Sequence, residues 1–127
     1  MNSVKEGYYY LSTHEWVKPV SETTFLVGIS DYAQHALGDI VYVALPEVND
    51  VVTQGERFCD VESVKAVSDV YAPVSGTIIE VNMELEDSPE LLNQNPYEVW
   101  IMKVEGSLDT STLLDAQSYS AQLEKEH

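Results

Sequence analysis

One lysine is the residue of this chain best placed for chemistry: Lys65, within VESVKAVSDVYAPVSG, Val61 to Gly76. Apolar and polar residues alternate up to Lys65, and the pattern resumes beyond it. This pattern predicts two short strands that meet at a turn, with the lysine at the tip of the hairpin. A lysine on a rigid turn, with its stem in water, can be acylated by an enzyme that must reach around the amine. Lys65 is therefore a candidate attachment site for a swinging arm, although most lysines are simply solvated.

His14, Glu15 and Cys59 are the other residues whose types suggest chemistry. His14 and Glu15 could form a metal or acid–base pair, but adjacent strand residues point to opposite faces and are poorly placed to act on one atom. Cys59 follows Phe58 in a strand-like run, and this position is typical of a small buried hydrophobe. Because it is the only cysteine, the chain cannot form an intramolecular disulfide, and we assign it no redox role. We predict neither a metal site nor a catalytic residue.

An enzymatic alternative would use Ser63 as a nucleophile with His14 or His35 as its base. The chain lacks the nucleophile-elbow pattern of serine hydrolases, and a small β-domain offers little enclosed pocket for a substrate. His35 lies in a short helical stretch and is most simply a surface residue. The sequence therefore favours a protein that presents Lys65 over one that acts on a bound substrate.

Alternation and turn residues predict a mainly β fold around the hairpin. The aromatic segment from Tyr8 to Val17 is β-prone, and Pro46 ends a strand that Asn49-Asp50 follows with a turn. The further expected strands are Thr23–Ile29, Asp39–Leu45 with Ile40, Tyr42 and Ala44 on one face and Val41, Val43 and Leu45 on the other, Gly76–Val81, and Trp100–Val104.

A short helix is expected between the second and third of these strand regions. Ser30 or Asp31 can cap it, and it would run over Tyr32–Leu37. Asp31 and Gln34 have capping-box spacing, and Gly38 is a good C-terminal stop. The run SDYAQHALGD therefore encodes a two-turn helix that leads into a strand.

Two later stretches also carry helix signals. Ser88 can cap a one- to two-turn helix with Pro89 at its first position, and that helix should stop before Asn95. The segment from about 108 to 125 is consistent with one or two helices on the sheet, since its apolar residues have mixed helical spacing. These residues are Leu113, Leu114, Tyr119 and Leu123.

Two strand segments resemble each other at an offset of 38 residues, GDIVYVAL from Gly38 and GTIIEVNM from Gly76. Glycine begins both, and their apolar positions match. Because the Lys65 turn lies between them, the pattern predicts a pseudo-twofold pair of β-units joined by the hairpin. The length of 127 residues fits one domain, and we expect residues 1–127 to form it, with a core over about 8–104.

Composition narrows the classes of partner. Hydrophobic residues make up 44% of the chain in short runs, which is typical of a folded globule without a membrane span. The formal net charge is −16, and acylation of Lys65 would make it −17. Such a surface repels phosphate backbones and anionic lipids, so we expect no nucleic acid and no membrane partner. We expect partners with basic protein surfaces.

The N-terminus resembles neither a secretory signal nor an Arg-rich presequence, so we expect a bacterial cytoplasmic protein, or a processed one of the mitochondrial matrix.

The order and spacing of several motifs resemble the H protein of the glycine cleavage system. The motifs are THEWV, DYAQHALGD, LPEV, VESVKAVSDVYAPVSG and PELLN, and the likeness extends from Tyr10 to about Tyr119. Val64 precedes Lys65, where lipoyl domains of 2-oxoacid dehydrogenases usually have an acidic residue and biotin carriers have methionine. The chain departs from the family at Asn49, where glycine is usual, and at Glu98-Val99, where a glycine is common. Asparagine tolerates the left-handed conformation, so we expect the turn at residue 49 to survive.

The resemblance implies a barrel-sandwich hybrid fold and lipoate in amide linkage on Lys65, as N6-lipoyllysine. It implies a non-catalytic, monomeric carrier that is lipoylated by a lipoate-attaching enzyme. The carrier would take the aminomethyl group of glycine from a pyridoxal-phosphate glycine decarboxylase (P-protein) to a folate-dependent aminomethyltransferase (T-protein), and dihydrolipoyl dehydrogenase (L-protein) would reoxidise it. The alternative is an H-like relay protein that carries or donates lipoate for other enzymes.

The resemblance also suggests roles for three carboxylates. An arm loaded with the aminomethyl group breaks down when the nitrogen lone pair expels the thiolate, and protonation of the amine blocks this expulsion. Glu15 and Asp69 are the candidates to favour the ammonium form, because a nearby opposite charge stabilises it. Glu62, three residues before Lys65, is a candidate for recognition by the lipoate-attaching enzyme, with a solvated strand residue as the alternative.

Overall fold

The computed structural model describes residues 3–126, and these residues form two antiparallel β-sheets with short helices around them. One sheet has six strands in the order β1-β2-β3-β9-β8-β5, and the other has three in the order β4-β6-β7. The predicted mainly β fold is confirmed. The strands are β1 Tyr9–Tyr10, β2 Glu15–Pro19, β3 Thr24–Ile29, β4 Ile40–Val43, β5 Val51–Val52, β6 Arg57–Ser63, β7 Val67–Tyr71, β8 Ser75–Val81 and β9 Met102–Ser107. The helices are α1 Asp31–Leu37, α2 Glu84–Asp87, α3 Leu91–Gln94 and α4 Ala116–Lys125, with a 3₁₀ turn at Thr110–Thr112.

The lysine hairpin predicted from alternation is formed by β6 and β7. Cys59, Val61 and Val70 are buried beneath it, while Glu62 points to solvent. The prediction that Cys59 is a small buried residue is confirmed, and burial raises the pKa of its thiol. The apolar side of the hairpin therefore holds it on the domain, because each buried side chain adds about 1.5–3 kcal/mol of transfer free energy.

The predicted strict alternation of Asp39–Leu45 is wrong. The strand is shorter, and its register shifts between Ile40 and Tyr42. As a result Ile40 and Val43, which were expected on opposite faces, are both buried in one core cluster. An extra residue in one strand of a pair turns the following side chains to the other face, and this is what the sequence pattern could not show.

The same irregularity recurs 38 residues later in the chain. Ile78 and Val81 of β8 are buried, Ile79 and Glu80 are exposed, and the register of β8 shifts between Ile78 and Glu80. The burial pattern of β4 is identical to that of Ile78–Val81. Because β4 and β8 lie in different sheets, the repeat noticed in the sequence contributes one equivalent bulged strand to each sheet.

The first helix begins as expected. Ser30 is its N-cap, and its Oγ accepts a hydrogen bond from the backbone N–H of Ala33 at 3.2 Å. Asp31 has another task, since its Oδ1 accepts from Gln34 Nε2 at 2.8 Å. Gly38 ends the helix with a positive φ of 80°. Of the two capping residues left open by the sequence, the structure selects Ser30.

The helical region around Ser88 differs from the prediction. Residues Glu84–Asp87 form α2, which the sequence did not indicate, and Ser88 ends this helix instead of capping the next one. The next helix, α3, starts only at Leu91, but it ends before Asn95 as expected. A proline at position 89 lacks the N–H that a continuous helix would need, so the segment breaks into two turns.

The two ends of the described chain pack together. The expected aromatic strand is divided by a turn into β1 and β2, and β9 begins two residues later than expected. In the C-terminal helix α4, Tyr119 is fully buried and its ring stacks on Tyr10 with centroids 4.2 Å apart.

Asn49 has a φ of 80°, so the expected left-handed turn is present. Within residues 3–126, no helix has the length and apolar character needed to cross a membrane.

Candidate functional site

Lys65 lies at the exposed tip of the β6–β7 hairpin, and the buried Ser63 holds the tip in shape. The backbone N–H of Ser63 donates to the carbonyl of Ala66 at 2.8 Å. Ser63 Oγ accepts from the N–H of Ala66 at 3.1 Å and of Lys65 at 3.3 Å. Because these bonds satisfy the N–H groups of Ser63, Lys65 and Ala66, the backbone of the turn is held in place while the lysine side chain stays outside. Ser63 is therefore a structural residue of the tip, which argues against a hydrolytic nucleophile.

The tip is also braced from the side. The N–H of Val64 donates to the carbonyl of Asp39 at 3.0 Å, which ties the turn to the segment between α1 and β4. The stem of Lys65 lies over Gly38, where an added Cβ would be 3.5 Å from Lys65 Cε. The ammonium makes no hydrogen bond or ion pair within residues 3–126, so it is accessible.

Apolar side chains surround the lysine on the outside of the hairpin. Val64 and Val67 are 69% and 62% exposed, values that are unusual for valine and that leave an apolar rim at the tip. Tyr42, Glu62 and Val67 form a row across β4, β6 and β7. Glu62 is exposed within this row, which fits both alternatives given by the sequence, a residue recognised by another protein and a solvated strand residue.

Glu15 occupies a different environment from the other acidic residues. It is only 2% exposed, and its carboxylate joins the two sheets. Oε2 accepts from the backbone N–H of Tyr71 on β7 at 2.8 Å, and Oε1 accepts from Thr13 Oγ1 at 2.5 Å. Burial raises the pKa of Glu15 to about 7, although both hydrogen bonds oppose the shift. Glu15 therefore provides a buried carboxyl group that changes charge near neutral pH.

Asp69 lies on the same strand as Tyr71 but faces solvent. Its Oδ1 accepts from Arg57 Nε at 2.9 Å, and Arg57 also pairs with Asp60 at 2.8 Å. A strand rises about 3.3 Å per residue, so along β7 Asp69 lies roughly 7 Å and Tyr71 roughly 13 Å beyond Val67, the second residue after Lys65. Strand β7 thus leads from the lysine past Asp69 to the contact that holds Glu15.

His14 points away from Glu15, in agreement with the sequence argument. Its Nδ1 is 2.8 Å from the hydroxyl of Tyr119, and its Nε2 is 3.4 Å from a carboxylate oxygen of Glu126. Burial lowers the pKa of His14, and Glu126 opposes this shift. His35 is exposed on α1 and pairs with Asp31 at 3.6 Å, consistent with the expected surface position.

Some residues of the site were not found from the sequence. Thr13 and the backbone of Tyr71 donate hydrogen bonds to the carboxylate of Glu15, but no sequence pattern predicts either as its partner. The contact of His14 with Tyr119 joins residues 105 positions apart. Within residues 3–126, no three His, Cys, Asp or Glu side chains lie close enough together to hold a metal ion.

Fold and site together define a class of protein. A two-sheet β-domain that presents one accessible lysine at a braced hairpin tip is a carrier domain of the lipoyl and biotinyl type. The family model of the glycine cleavage H-protein matches residues 8–126, and the chain belongs to this family.

Individual relatives agree with this assignment. The chain is 59% identical over 124 residues to the probable glycine cleavage system H protein of Thermococcus gammatolerans, covering 95% of this chain and 92% of the relative. It is 56% identical over 128 residues to the glycine cleavage system H protein of Thermus thermophilus, covering 97% and 98%. The crystal structure of the H protein from Mycobacterium marinum superposes with a TM-score of 0.87 at 38% identity, covering 95% of this chain and 99% of that one.

These comparisons confirm three predictions from the sequence. The family is the glycine cleavage H protein, the fold is the barrel-sandwich of lipoyl domains, and the function is that of a lipoyl carrier in glycine cleavage. The relatives described above do not favour the relay alternative.

We predict that Glu15→Gln removes a pH-dependent loss of stability. The pKa of Glu15 is about 7 in the folded protein, against an ordinary value of 4.5 that applies to the unfolded chain. Between these values the folded state binds more protons, so the free energy of unfolding of the wild type falls as the pH rises. The variant lacks this titration, and it should gain roughly 3 kcal/mol relative to the wild type across the window.

Urea denaturation at about pH 4.5 and about pH 8 measures this difference. Glu62→Gln, which removes an exposed carboxylate from the same hairpin, serves as the control and should track the wild type. Parallel stability curves for the wild type and Glu15→Gln would contradict a raised pKa at this position.

Proposed function

We propose that Lys65 is the residue that carries lipoate, joined through an amide to its side-chain nitrogen. The observation that carries this proposal is the accessible ammonium at a tip whose backbone N–H groups, from Ser63 to Ala66, all donate hydrogen bonds. An attaching enzyme must close around the amine, and a projecting turn allows that approach. When bound, lipoate supplies a dithiolane that accepts the aminomethyl group of glycine and later returns to the disulfide.

The protein itself positions and protects the arm, and we assign it no catalytic step. Its partners would be the glycine decarboxylase, the aminomethyltransferase, the dihydrolipoyl dehydrogenase and the lipoate-attaching enzyme. A net charge of −16 supports docking to basic surfaces, since complementary charge speeds encounter while leaving the complex reversible. The relatives come from bacteria and archaea, so we place the protein in the cytoplasm of such a cell.

Glu15 is our candidate for protection of the loaded arm. The carboxylate lies against β7, the strand that returns from Lys65, and its residue is almost completely buried. An ammonium that reaches it would be stabilised strongly, because the attraction between opposite charges grows as the local dielectric constant falls. The same attraction would lower the pKa of Glu15 and keep it ionised.

Asp69 is the second candidate, and we assign it the smaller share. Its carboxylate is half exposed and already bonded to Arg57. Exposed ion pairs contribute about 0–1 kcal/mol, so the remaining attraction for a cargo amine is modest. Asp69 would act on the arm as it passes along β7, whereas Glu15 would hold the amine.

We predict that Lys65 in the natively expressed protein carries a lipoyl group, and that incubation with glycine and a glycine decarboxylase adds an aminomethyl increment to it. Mass spectrometry of the Lys65 peptide measures both. Lys65→Arg keeps the positive charge but cannot form the amide, so it should fold normally and show neither mass change. Lipoate on another lysine would contradict the assignment, and a lipoyl group that never takes up the increment would favour the relay function.

We predict that Glu15→Gln speeds breakdown of the loaded arm without preventing lipoylation. Loss of the anion lowers the pKa of the cargo amine by roughly one unit, so breakdown begins at lower pH and becomes about tenfold faster where the rate follows the free amine. Formaldehyde release across a pH series measures the rate. Asp69→Asn should give a smaller effect, and an unchanged pH profile in Glu15→Gln would refute the protective role.

We predict that Glu62→Lys slows lipoylation. Glu62 is exposed beside the lysine on β6, and a reversed charge there opposes a surface that recognises a carboxylate. The initial rate of lipoyl transfer by the attaching enzyme measures the effect. Glu105→Lys on β9 of the other sheet makes the same charge change and should leave the rate near that of the wild type. Equal slowing in both variants would show that overall charge, and not Glu62, matters, and a wild-type rate in Glu62→Lys would show that Glu62 is not part of the recognition.

A further inference from the structure

The C-terminal helix α4 is attached by side chains to the turn that precedes Glu15. Gln122 Nε2 donates to the carbonyl of Ser12 at 2.9 Å. The hydroxyl of Tyr119 lies 2.8 Å from His14 Nδ1, and Glu126 lies 3.4 Å from His14 Nε2. The helix and its C-cap residue Glu126 therefore contact this turn at three points, although none of the functions assigned above uses these contacts.

The hydroxyl of Tyr119 has a second partner that belongs to another element. It lies 2.6 Å from Oγ of Ser30, the residue that caps α1, and both side chains are fully buried. The N–H of Ser30 in turn donates to the carbonyl of His14 at 2.9 Å. A single buried hydroxyl thus joins α4, the cap of α1 and the turn at His14.

The donors and acceptors of this cluster form a consistent chain in one direction. Ser30 Oγ accepts from the N–H of Ala33, so the hydroxyl proton of Ser30 is free to go to Tyr119. The hydroxyl proton of Tyr119 then goes to His14 Nδ1, and the Nε2–H of His14 faces Glu126. This arrangement requires a neutral imidazole, which agrees with the lowered pKa of His14. A protonated ring would reverse the chain and leave the buried Ser30 proton without an acceptor in it.

The position of His14 controls the residues on either side of it. His14 has a φ of 84°, a left-handed conformation that non-glycine residues rarely adopt. Immediately before it, Thr13 donates to the carboxylate of Glu15, and immediately after it Glu15 reaches Tyr71 on β7. If the imidazole moves, the unfavourable backbone conformation can relax, and both contacts of the carboxylate change together.

We propose that Tyr119 is a positioning residue for the loaded arm. Its hydroxyl, by bridging His14 and Ser30, holds the turn in the conformation that places the Glu15 carboxylate against β7. The helix α4 thereby takes part in protecting the cargo, although it is not part of the lysine hairpin. This inference rests on the proposed role of Glu15 and extends it to a residue far away in sequence.

The test compares two tyrosine-to-phenylalanine variants of the lipoylated protein. Tyr119→Phe removes the bridging hydroxyl but keeps the ring that stacks on Tyr10. Tyr97→Phe is the matched control, because it removes another buried tyrosine hydroxyl of the same aromatic cluster. This hydroxyl donates to the carbonyl of Ser3 and interacts with Tyr10 and the backbone of Asp31, but it bonds to no residue of the turn. Breakdown of the loaded arm should be about threefold to tenfold faster in Tyr119→Phe, as expected for the loss of a hydrogen bond, and within about twofold of the wild type in Tyr97→Phe.

A double-mutant cycle tests whether Tyr119 acts through Glu15. Glu15→Gln combined with Tyr119→Phe should break down no faster than Glu15→Gln alone, because the position of a lost carboxylate no longer matters. Additive acceleration would overturn the proposal, since the hydroxyl would then act by some other route. Equal acceleration by Tyr97→Phe and Tyr119→Phe would overturn it as well, because general loosening would explain both.

Substitution of His14 offers a rescue test. Asparagine tolerates the left-handed backbone, and its side-chain oxygen can accept from Tyr119 near the place of Nδ1, so His14→Asn should retain most of the protection. Valine has no acceptor and strongly disfavours a positive φ, so His14→Val should break down at least as fast as Tyr119→Phe. If the asparagine variant is no better protected than the valine variant, the hydroxyl bridge is not what positions Glu15.

A readout on the unmodified protein separates this inference from the function itself. Carboxyl-carbon NMR follows the titration of Glu15, whose pKa is about 7 with the turn in place. Tyr119→Phe should move this titration toward ordinary glutamate values as water reaches the carboxylate, and Tyr97→Phe should not. An unchanged titration overturns the positioning role even if the arm is carried normally. If Tyr119→Phe shifts the titration of Glu15 but leaves the breakdown rate unchanged, the link between Tyr119 and protection of the arm is refuted. If Glu15→Gln does not speed breakdown, the role of Glu15 and this inference are both refuted, while the assignment of lipoate to Lys65 stands.

Discussion

The contact between the buried carboxylate of Glu15 and the backbone of Tyr71 is the point on which the arrangement of the molecule depends. It joins β2 of the larger sheet to β7 of the smaller one, and β7 is the strand that returns from Lys65. Burial of a carboxylate costs desolvation free energy, and the raised pKa shows that two hydrogen bonds repay it incompletely. A group that is expensive to bury and still holds two sheets together is better explained by its function than by stability.

Features set by local chemistry could be read from the sequence. The lysine hairpin follows from alternation on both sides of a turn, and Gly38 and Asn49 adopt the positive φ angles that their residue types permit. The bulge between Ile40 and Tyr42 could not be predicted from the sequence. The residue pattern of β4 fits simple alternation, whereas in the pairing with β6 this strand contains one extra residue. Register belongs to the pair of strands and is absent from either strand alone.

The residues of the candidate site fall into the same two groups, those that the sequence identifies and those that only the structure brings together. Lys65, Glu15 and the exposed Glu62 lie in short motifs whose likeness to a family identified them, and the structure gives each a distinct environment. The bridge of Tyr119 to His14 and Ser30 spans 105 and 89 residues, and no periodicity or capping pattern connects them. Side chains that meet only through tertiary packing cannot be paired from the sequence, so the link between α4 and the turn at His14 could not be predicted.

The glycine that ends α1 has a consequence for how far the cargo can travel. An arm whose lysine stem stays beside Gly38, as it lies here, pivots near the end of the lysine side chain and not at its Cα. A shorter free radius sweeps a much smaller volume, since volume falls with the cube of the radius. The end of the arm therefore reaches a docked partner at a higher effective concentration than a freely rotating lysine would provide. An added Cβ at position 38 would meet Lys65 Cε at 3.5 Å, an ordinary contact distance, so the glycine is required for its φ of 80° at the end of α1 and also leaves room for the lysine stem beside it.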